Sequence, residues 1–493
     1  MSEHVPILLV LLPLVAAPIC VLLRRNAAAW VWAFLISWIV FGLSVALLAR
    51  VLDEGVIDYA LGGWDPPWGI AYRLDPLNAF VLVIVAANAA VVLLFAPESL
   101  RHEIPREKRY LVVCVFLLYL TGLLGITITG DVFNVFVFLE IAALSSYVLV
   151  SMGPTRRALS AAYRYLIMGT IGSTFILIGI GLMYMMTGTL NMADLAERLV
   201  PVAHTRTVIA AFAFLTVGVS IKMALWPLHT WLPNAYTYAP SMVSAFIAST
   251  STKVSFYLLL RVIFTIFGTD FAFDTLHLNA LLLPVSLMAT VLASTTAIFQ
   301  QDVKRLLAYS SVAQIGYMVA GLCLATETGL TGSIVHMFNH AFIKGGLFLV
   351  MGCLFFQLNS VKLEDLRGAG RTMPLTMAAF VIGGLNLIGV PLTAGFISKW
   401  YLVLAAVEQG YWWVVVVMLL SSLLAVVYVW RVVEVAYFHP PPEGIKTLSR
   451  EAPRSMLIPA WMMIGATLVF GVMAWIPVGI ARQAAQSLLG GGP

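Results

Sequence analysis

Long apolar stretches recur along the whole chain and are separated by short polar or Pro/Gly-marked breaks. A helix needs about 20 mainly apolar residues to cross a bilayer, and fourteen stretches reach this length. In lipid the backbone must bond within its own segment, so each stretch is predicted to be a helix. The predicted spans, numbered one to fourteen, are residues 5–24, 28–50, 74–97, 109–129, 131–152, 160–187, 206–237, 240–268, 277–300, 304–325, 328–358, 373–407, 410–438 and 456–481.

Composition and charge agree with this pattern. Hydrophobic residues make up 61% of the chain and charged residues 10%, which does not suit a water-facing surface. Connections after odd-numbered spans hold sixteen of the 28 Lys and Arg residues, and connections after even-numbered spans hold five. By the positive-inside rule, both termini are predicted to lie outside, which requires an even number of spans.

Spans seven and twelve are unusually long, and each carries a proline at mid-depth, Pro227 and Pro391. Proline removes a backbone donor and clashes with the preceding turn, so both helices are predicted to be broken. The breaks are five spans apart, which is the offset expected of inverted repeats. A kink without functional meaning is the alternative for either proline alone, but a lysine near each break favours a transporter.

The predicted fold is therefore an all-α polytopic membrane protein with about 14 transmembrane helices and two inverted five-helix repeats. Spans four to eight form the first repeat, and spans nine to thirteen form the second. The predicted parts are residues 1–107 with the first three spans, 108–270 with the first repeat, 271–440 with the second repeat, and 441–493 with span fourteen and the C-terminus.

Several ionisable residues fall in the middle of predicted spans. Each costs about 2.5–3.5 kcal/mol on insertion scales and should face a partner or water. On span eleven they recur every four residues, and a step of four advances about 40° beyond a full turn, so they line one helical face. The candidates are Glu140 in span five, Lys222 in span seven, Lys253 in span eight, His336, His340 and Lys344 in span eleven, and Lys399 in span twelve.

These residue types suit proton transfer. Burial disfavours the ammonium form of lysine and so makes its proton exchangeable, whereas a nearby carboxylate stabilises that form. A change in the separation of Glu140 and Lys222 would therefore switch the lysine between holding and releasing a proton. Histidine gains and loses a proton near neutral pH and can relay between such groups.

Structural readings of the same residues remain open. Glu140 and Lys222 could form a static buried ion pair, and His336 and His340 could be packing residues or, for one of them, a metal or haem ligand. Residues near span ends, Arg261, Arg431 and Glu434, could snorkel or pair.

Asp131, His229 and Lys344 are predicted accessory members of the path, although His229 could equally make a helix-end hydrogen bond. Motifs for a phosphate loop, a nucleotide or a c-type haem do not occur, and the four cysteines lack metal-ligand spacing. No cofactor, metal or nucleic-acid partner is expected.

The placed residues lie in motifs that resemble the large antiporter-like subunits shared by Mrp antiporters, respiratory complex I and membrane-bound hydrogenases. The motifs are the stretch from Lys222 to Ala235 (KMALWPLHTWLPNA), 239–261, 302–317 (DVKRLLAYSSVAQIGY), 336–348 (HMFNHAFIKGGLF) and 395–401 (GFISKWY). The resemblance implies a hydrated axis at mid-membrane. It also implies roles for six residues: Glu140 and Lys222 as the functional ion pair, Lys253 as the central relay, His336 and His340 as connecting histidines, and Lys399 as the terminal lysine.

Within this group the chain resembles the D-type component of Mrp antiporters. Complex I relatives typically read Leu-Pro-Asp-Ala-His where this chain has Asn234 and Tyr236 in Leu-Pro-Asn-Ala-Tyr. The resemblance implies a proton-translocating subunit of a Na⁺/H⁺ antiporter in the bacterial inner membrane, a secondary transporter and not an enzyme. It would work with other membrane subunits and lipid, and K⁺ and Li⁺ are the alternative cations.

Two other functions are kept as hypotheses. One is a proton-pumping subunit in the membrane arm of a complex I-like or hydrogenase-like assembly. The other is a structural membrane scaffold in which the ionisable groups only lock helices together.

Overall fold

The computed structural model describes residues 4–440 and 451–490 and is almost entirely helical. Thirteen helices in this part of the chain are long and apolar enough to cross a membrane. They correspond to every predicted span except span twelve, which is divided into two shorter helices. The predicted polytopic all-α fold is thus confirmed, while two of the positive residues used for the orientation, Lys446 and Arg450, lie outside the described residues.

The helix bounds follow the predicted spans closely. The first six spans are Val5–Leu23, Asn26–Glu54, Pro76–Glu103, Arg109–Ile128, Val132–Ser151 and Arg156–Thr187. Spans eight to eleven are Ser241–Leu260, Leu278–Ile298, Val303–Cys323 and Glu327–Leu358, and spans thirteen and fourteen are Trp412–Phe438 and Arg454–Val472. Span eight continues beyond its α-helix as a π-helix, Arg261–Phe267.

Short elements connect the spans. The strands β1 (Ile57–Ala60) and β2 (Ala71–Leu74) form an antiparallel hairpin between spans two and three. The others are the helices Met192–Leu199, Ala369–Thr372 and Trp475–Leu489, the 3₁₀ turns Leu61–Gly63, Arg106–Lys108, Val200–Val202 and Leu363–Leu366, and a π-turn at Asp270–Thr275.

Both predicted helix breaks are confirmed. Span seven consists of Arg206–Met223 and Leu232–Tyr238, and the first half ends at Ala224 in a left-handed conformation (φ 60°). Span twelve consists of Pro374–Ile388 and Ala394–Glu408, and its first half ends at Gly389 (φ 89°). Pro227 and Pro391 lie in the non-helical segments between the halves, as expected of residues that cannot continue a helix.

The two halves of the chain share a local arrangement that supports the inverted repeats. Asp131 and Asp302 cap spans five and ten, each accepting a bond from the backbone N–H three residues later, at 2.7 and 3.0 Å. Each also forms an antiparallel bridge to the segment after the next span, Asp131 to Asn191 and Asp302 to Lys362. Spans five and ten start from opposite faces of the bundle, so the same motif recurs upside down.

The predicted end of span fourteen was wrong. The helix stops at Val472, and Trp475–Leu489 is a separate helix that packs against spans three and eleven. Apolar residues continue through this corner, so hydropathy alone does not mark it. The division of the chain at residues 107, 270 and 440 stays a prediction.

Candidate functional site

Glu140 and Lys222 lie in neighbouring spans but do not form a direct ion pair. Lys222 is 9% exposed and sits in the last turn of the first half of span seven. Its Nζ and Oε1 of Glu140 have no hydrogen-bond partner among the described residues, and the two groups interact only through their charges. The alternative of a static ion pair is therefore not what this conformation contains.

A small cavity of about 40 Å³ lies beside Lys222, enclosed by spans four to eight. Its polar lining comes from Tyr119, Ser146, Tyr165, Ser251 and Ser255. This volume has room for about three water molecules, and hydroxyl groups are suitable partners for them. The arrangement allows a hydrogen-bonded connection between Lys222 and the part of span eight that carries Lys253.

Lys253 and Lys344 are both fully buried, at 0% exposure. Lys253 donates to the carbonyl oxygen of Ala248 on its own helix. Lys344 donates to the carbonyl of Leu307 at 2.8 Å and to the hydroxyl of Ser310, both on span ten. Spans eight, ten and eleven pack against one another, and both lysines lie close enough to His340 to act on it electrostatically. The three predicted groups are thus brought together.

The two histidines of span eleven form a parallel stack with ring centroids 6.0 Å apart and planes 9° apart. Nδ1 of His336 is 2.9 Å from the hydroxyl of Ser398. Nε2 of His336 and both ring nitrogens of His340 have no hydrogen-bond partner in the described chain. Packing histidines normally satisfy their buried nitrogens, so these rings are better suited to proton exchange than to packing alone.

Lys399, 9% exposed, reaches across the break in span twelve. Its Nζ donates to the carbonyls of Leu387 at 2.9 Å and Ile388 at 3.0 Å, and to the hydroxyl of Ser422 at 2.9 Å. The last carbonyls of a helix have no partner within it and carry the negative end of its dipole. The break thus supplies the acceptors that hold this ammonium group.

Polar residues that the sequence reasoning did not single out complete the second half of the site. Tyr317 places its ring 4.8 Å from Nζ of Lys399 and donates its hydroxyl to the carbonyl of Met418 at 2.8 Å. Asn339 donates to the carbonyl of Ala394 at 2.6 Å and so ties span eleven to the second half of span twelve. Tyr317, Asn339 and Ser398 lie inside the motifs quoted above, whereas Ser422 lies outside them and carries no sequence signal.

The remaining candidates are placed elsewhere. Asp131 is a helix cap at the start of span five, and His229 lies in the break of span seven with its ring 6.0 Å from that of Tyr309. Glu434 is 3.9 Å from His439 and both are exposed. Within residues 4–440 and 451–490, no group of three or more His, Cys, Asp or Glu side chains could hold a metal ion.

The fold defines a multi-pass membrane protein, and comparison with known proteins gives its family. The family model described as "NADH:quinone oxidoreductase/Mrp antiporter, TM" matches residues 129–425. The chain belongs to this family.

The similar proteins include oxidoreductase components and antiporter components, the two kinds that the family description names. The N-type component of NADH-quinone oxidoreductase from Desulforudis audaxviator is 42% identical over 486 residues, covering 96% of each chain. The D-type component of the Na⁺/H⁺ antiporter from Alkalihalophilus pseudofirmus is 29% identical over 447 residues, covering 91% of this chain and 89% of the relative. These matches confirm the resemblance to Mrp D-type proteins and to the complex I-like superfamily.

A solved structure shares the whole fold. A chain of the membrane-bound sulfane sulfur reductase, an archaeal respiratory membrane complex, superposes with a TM-score of 0.91 and 30% sequence identity. The superposition covers 99% of this chain and 98% of the other. The additional elements found here, the hairpin and the C-terminal helix, therefore lie within a shared architecture.

Proposed function

We propose that this chain is the proton-translocating subunit of a multisubunit complex in the bacterial inner membrane that exchanges protons for a monovalent cation, with Na⁺ as the leading candidate. The observation that carries the proposal is the buried row formed by Lys253, His340 and His336, in which three ring nitrogens are unbonded. Such a row is costly in lipid unless the groups are used. The similarity to a D-type Na⁺/H⁺ antiporter component supports the choice of cation exchange.

In this proposal the proton moves along one line. Lys222 holds or releases its proton according to the position of Glu140, and the hydroxyl-lined cavity connects it to span eight. From Lys253 the proton passes to the stacked histidines and then through the hydroxyl of Ser398, which lies beside Lys399 in the chain. Other membrane subunits and lipid would complete the complex that exchanges protons for the cation.

A second function has an observation of its own. The 42% identity to an NADH-quinone oxidoreductase subunit favours a proton-pumping role in a redox-driven membrane complex. Purification of the native complex separates the two functions: co-purifying iron–sulfur or nickel subunits with quinone-linked activity would support the redox complex, and small membrane subunits with cation-dependent exchange would support the antiporter.

The test of the proton path is His340→Gln in the intact complex, assayed in everted vesicles with a pH-sensitive dye. Glutamine can hydrogen-bond but cannot carry a proton, so proton translocation is expected to fall on the order of 100-fold. His439→Gln, an exposed histidine, is the matched control. Full translocation by an assembled His340→Gln complex would contradict the proposal and favour the scaffold.

A further inference from the structure

A large cavity of about 780 Å³ lies where the connections after spans two, four, six and eight meet. These are the connections with few Lys and Arg residues, so the positive-inside rule places the cavity on the outer face. Its walls carry polar groups, among them Arg73, Asn78, Asn191 and Glu197. The proton path described above does not use this cavity.

Asp75 and Arg261 line the cavity and form a buried ion pair. Nη2 of Arg261 is 2.6 Å from Oδ2 of Asp75, and each side chain is 8% exposed. Among the ion pairs of the described chain, it is the only one with both partners buried. Arg261 therefore does not snorkel; it is fixed in place by Asp75, the capping residue of span three.

Arg261 also bonds to a group one helical turn deeper in the membrane. Its Nε donates to the hydroxyl of Tyr257 at 3.0 Å, and that hydroxyl donates to the carbonyl of Thr127 at 2.8 Å. Lys253, Tyr257 and Arg261 follow each other at steps of four on span eight, so they share one helical face. At 1.5 Å per residue, Lys253 lies about 12 Å below Arg261 along the helix.

The helix changes its winding at the same place. Span eight is α-helical to Leu260 and becomes a π-helix from Arg261 to Phe267. Wider turns of this kind are rare and often occur at functional positions. The widening begins at Arg261, which lines the cavity.

We propose that the cavity is an outer vestibule of the proton path and that the Asp75–Arg261 pair is the plug that separates it from Lys253. A guanidinium does not give up its proton in proteins, so Arg261 is a fixed positive charge that a proton cannot use as a stepping stone. Asp75 compensates the cost of burying this charge. The inference rests on the proposed function, because a plug is needed only where Lys253 carries a proton.

The proton balance through an opened plug is simple. The Lys253 side chain turns from Ala248 toward span eight's outer end, and its ammonium gives a proton to the Tyr257 oxygen. As that bond forms, the phenol's own O–H proton leaves to water in the vestibule. Tyr257 ends neutral, Lys253 ends as the free amine, and one proton has been delivered outside.

The test is a proton leak measured in everted vesicles of the intact complex without a cation gradient. Arg261→Gln removes the barrier charge and leaves an amide that can still bond to Asp75 and Tyr257. We expect the leak to rise on the order of tenfold, the effect of one unit charge about 12 Å away at an effective dielectric of about 20. Arg261→Lys keeps the positive charge, so its proton leak is expected to stay at the wild-type level.

Three further variants make the result specific. Adding Tyr257→Phe to Arg261→Gln should return the leak to the wild-type level, since the phenyl ring cannot relay a proton. Asp75→Asn preserves the helix cap but leaves Arg261 uncompensated, so it should not leak. Glu197→Gln changes a charge in the same cavity and is the matched control.

A leak at wild-type level in assembled Arg261→Gln would overturn the plug, and a leak that survives Tyr257→Phe would overturn the route. If Arg261→Gln fails to assemble, Ala196→Cys tests the vestibule itself, since Ala196 lines it. A membrane-impermeant maleimide should label this thiol from the outer face, and absence of labelling there would overturn the access route. Failure of the proposed function is read separately, from His340→Gln, so the two outcomes stay distinguishable.

Discussion

Lys222 and Lys399 lie beside the two helix breaks of the bundle, yet their surroundings differ. Lys399 donates to Leu387, Ile388 and Ser422, whereas Lys222 has no hydrogen-bond partner in the described chain. Lys399 follows its break and reaches back to the open end of the preceding half-helix. Lys222 precedes its break and lines the small cavity between spans four to eight.

Trp231 explains part of this difference. Its indole Nε1 donates to the carbonyl of Ile221 at 2.9 Å, so the end of the half-helix in span seven is capped by a side chain. In span twelve the corresponding carbonyls are bonded by the lysine itself. A break in a membrane helix thus leaves backbone carbonyl oxygens without a helical partner. The side chain that donates to these carbonyls decides whether the nearby lysine is hydrogen-bonded or free.

The largest effect is expected when the free lysine is changed. Lys222→Arg keeps the positive charge but cannot release a proton, and Glu140→Gln removes the charge that acts on the lysine. Both are expected to lower proton translocation on the order of 100-fold in everted vesicles. Lys362→Ala, an exposed lysine, serves as control. If Lys222→Arg translocates normally, Lys222 is a structural charge and the contrast with Lys399 has no functional meaning.

The next effect concerns the geometry of the second break. A Cβ on Gly395 would lie 2.0 Å from the carbonyl oxygen of Asn386, so Gly395→Ala must push the two half-helices apart. We expect the variant to lower the free energy of unfolding by about 1–3 kcal/mol and to break the contacts of Lys399. Yield and thermal stability of the purified complex measure it. Gly465→Ala, with nothing within 4 Å of the added carbon, is the control, and equal stability of both variants would contradict the packing argument.

A smaller effect is expected when Lys399 loses one acceptor. Ser422→Ala removes the hydrogen bond to Lys399 and also the 3.2 Å contact with the hydroxyl of Tyr317. The lost bond to Lys399 is worth about 1 kcal/mol, which corresponds to roughly a fivefold change in translocation rate. The neighbouring Ser421 bonds to the carbonyl of Thr290 and does not touch Lys399, so Ser421→Ala should leave the rate near wild type. The reverse order of the two variants would show that Ser422 does not position the lysine.

The sequence predicts the breaks and the histidine stripe because these follow from local chemistry. Proline cannot continue a helix, and His336 and His340 share a face because they are four residues apart. The bonds that distinguish the two lysines depend on side chains brought together by folding, such as Trp231 capping Ile221 and Ser422 reaching Lys399.

Two further features lay beyond the pattern of apolar residues. The missing contact between Glu140 and Lys222 depends on the separation of two spans, which the sequence does not specify. Arg261 could snorkel or pair on sequence grounds, and only the fold shows that Asp75, far away in the chain, is its partner.

The smallest effect should come from Trp231, and it tests the origin of the difference between the lysines. Trp231→Phe keeps the stack on Tyr165, whose ring centroid is 4.2 Å away, but removes the indole N–H. The carbonyl of Ile221 still accepts from the N–H of Ala224 at 3.1 Å, so the cost should be only about 1 kcal/mol of stability. The thermal unfolding temperature of the complex should fall slightly, while the translocation rate stays near wild type. Trp226→Phe, in the same break, is the control. A loss of translocation as large as that of Lys222→Arg would mean that the indole cap, and not Glu140, keeps Lys222 available for the proton.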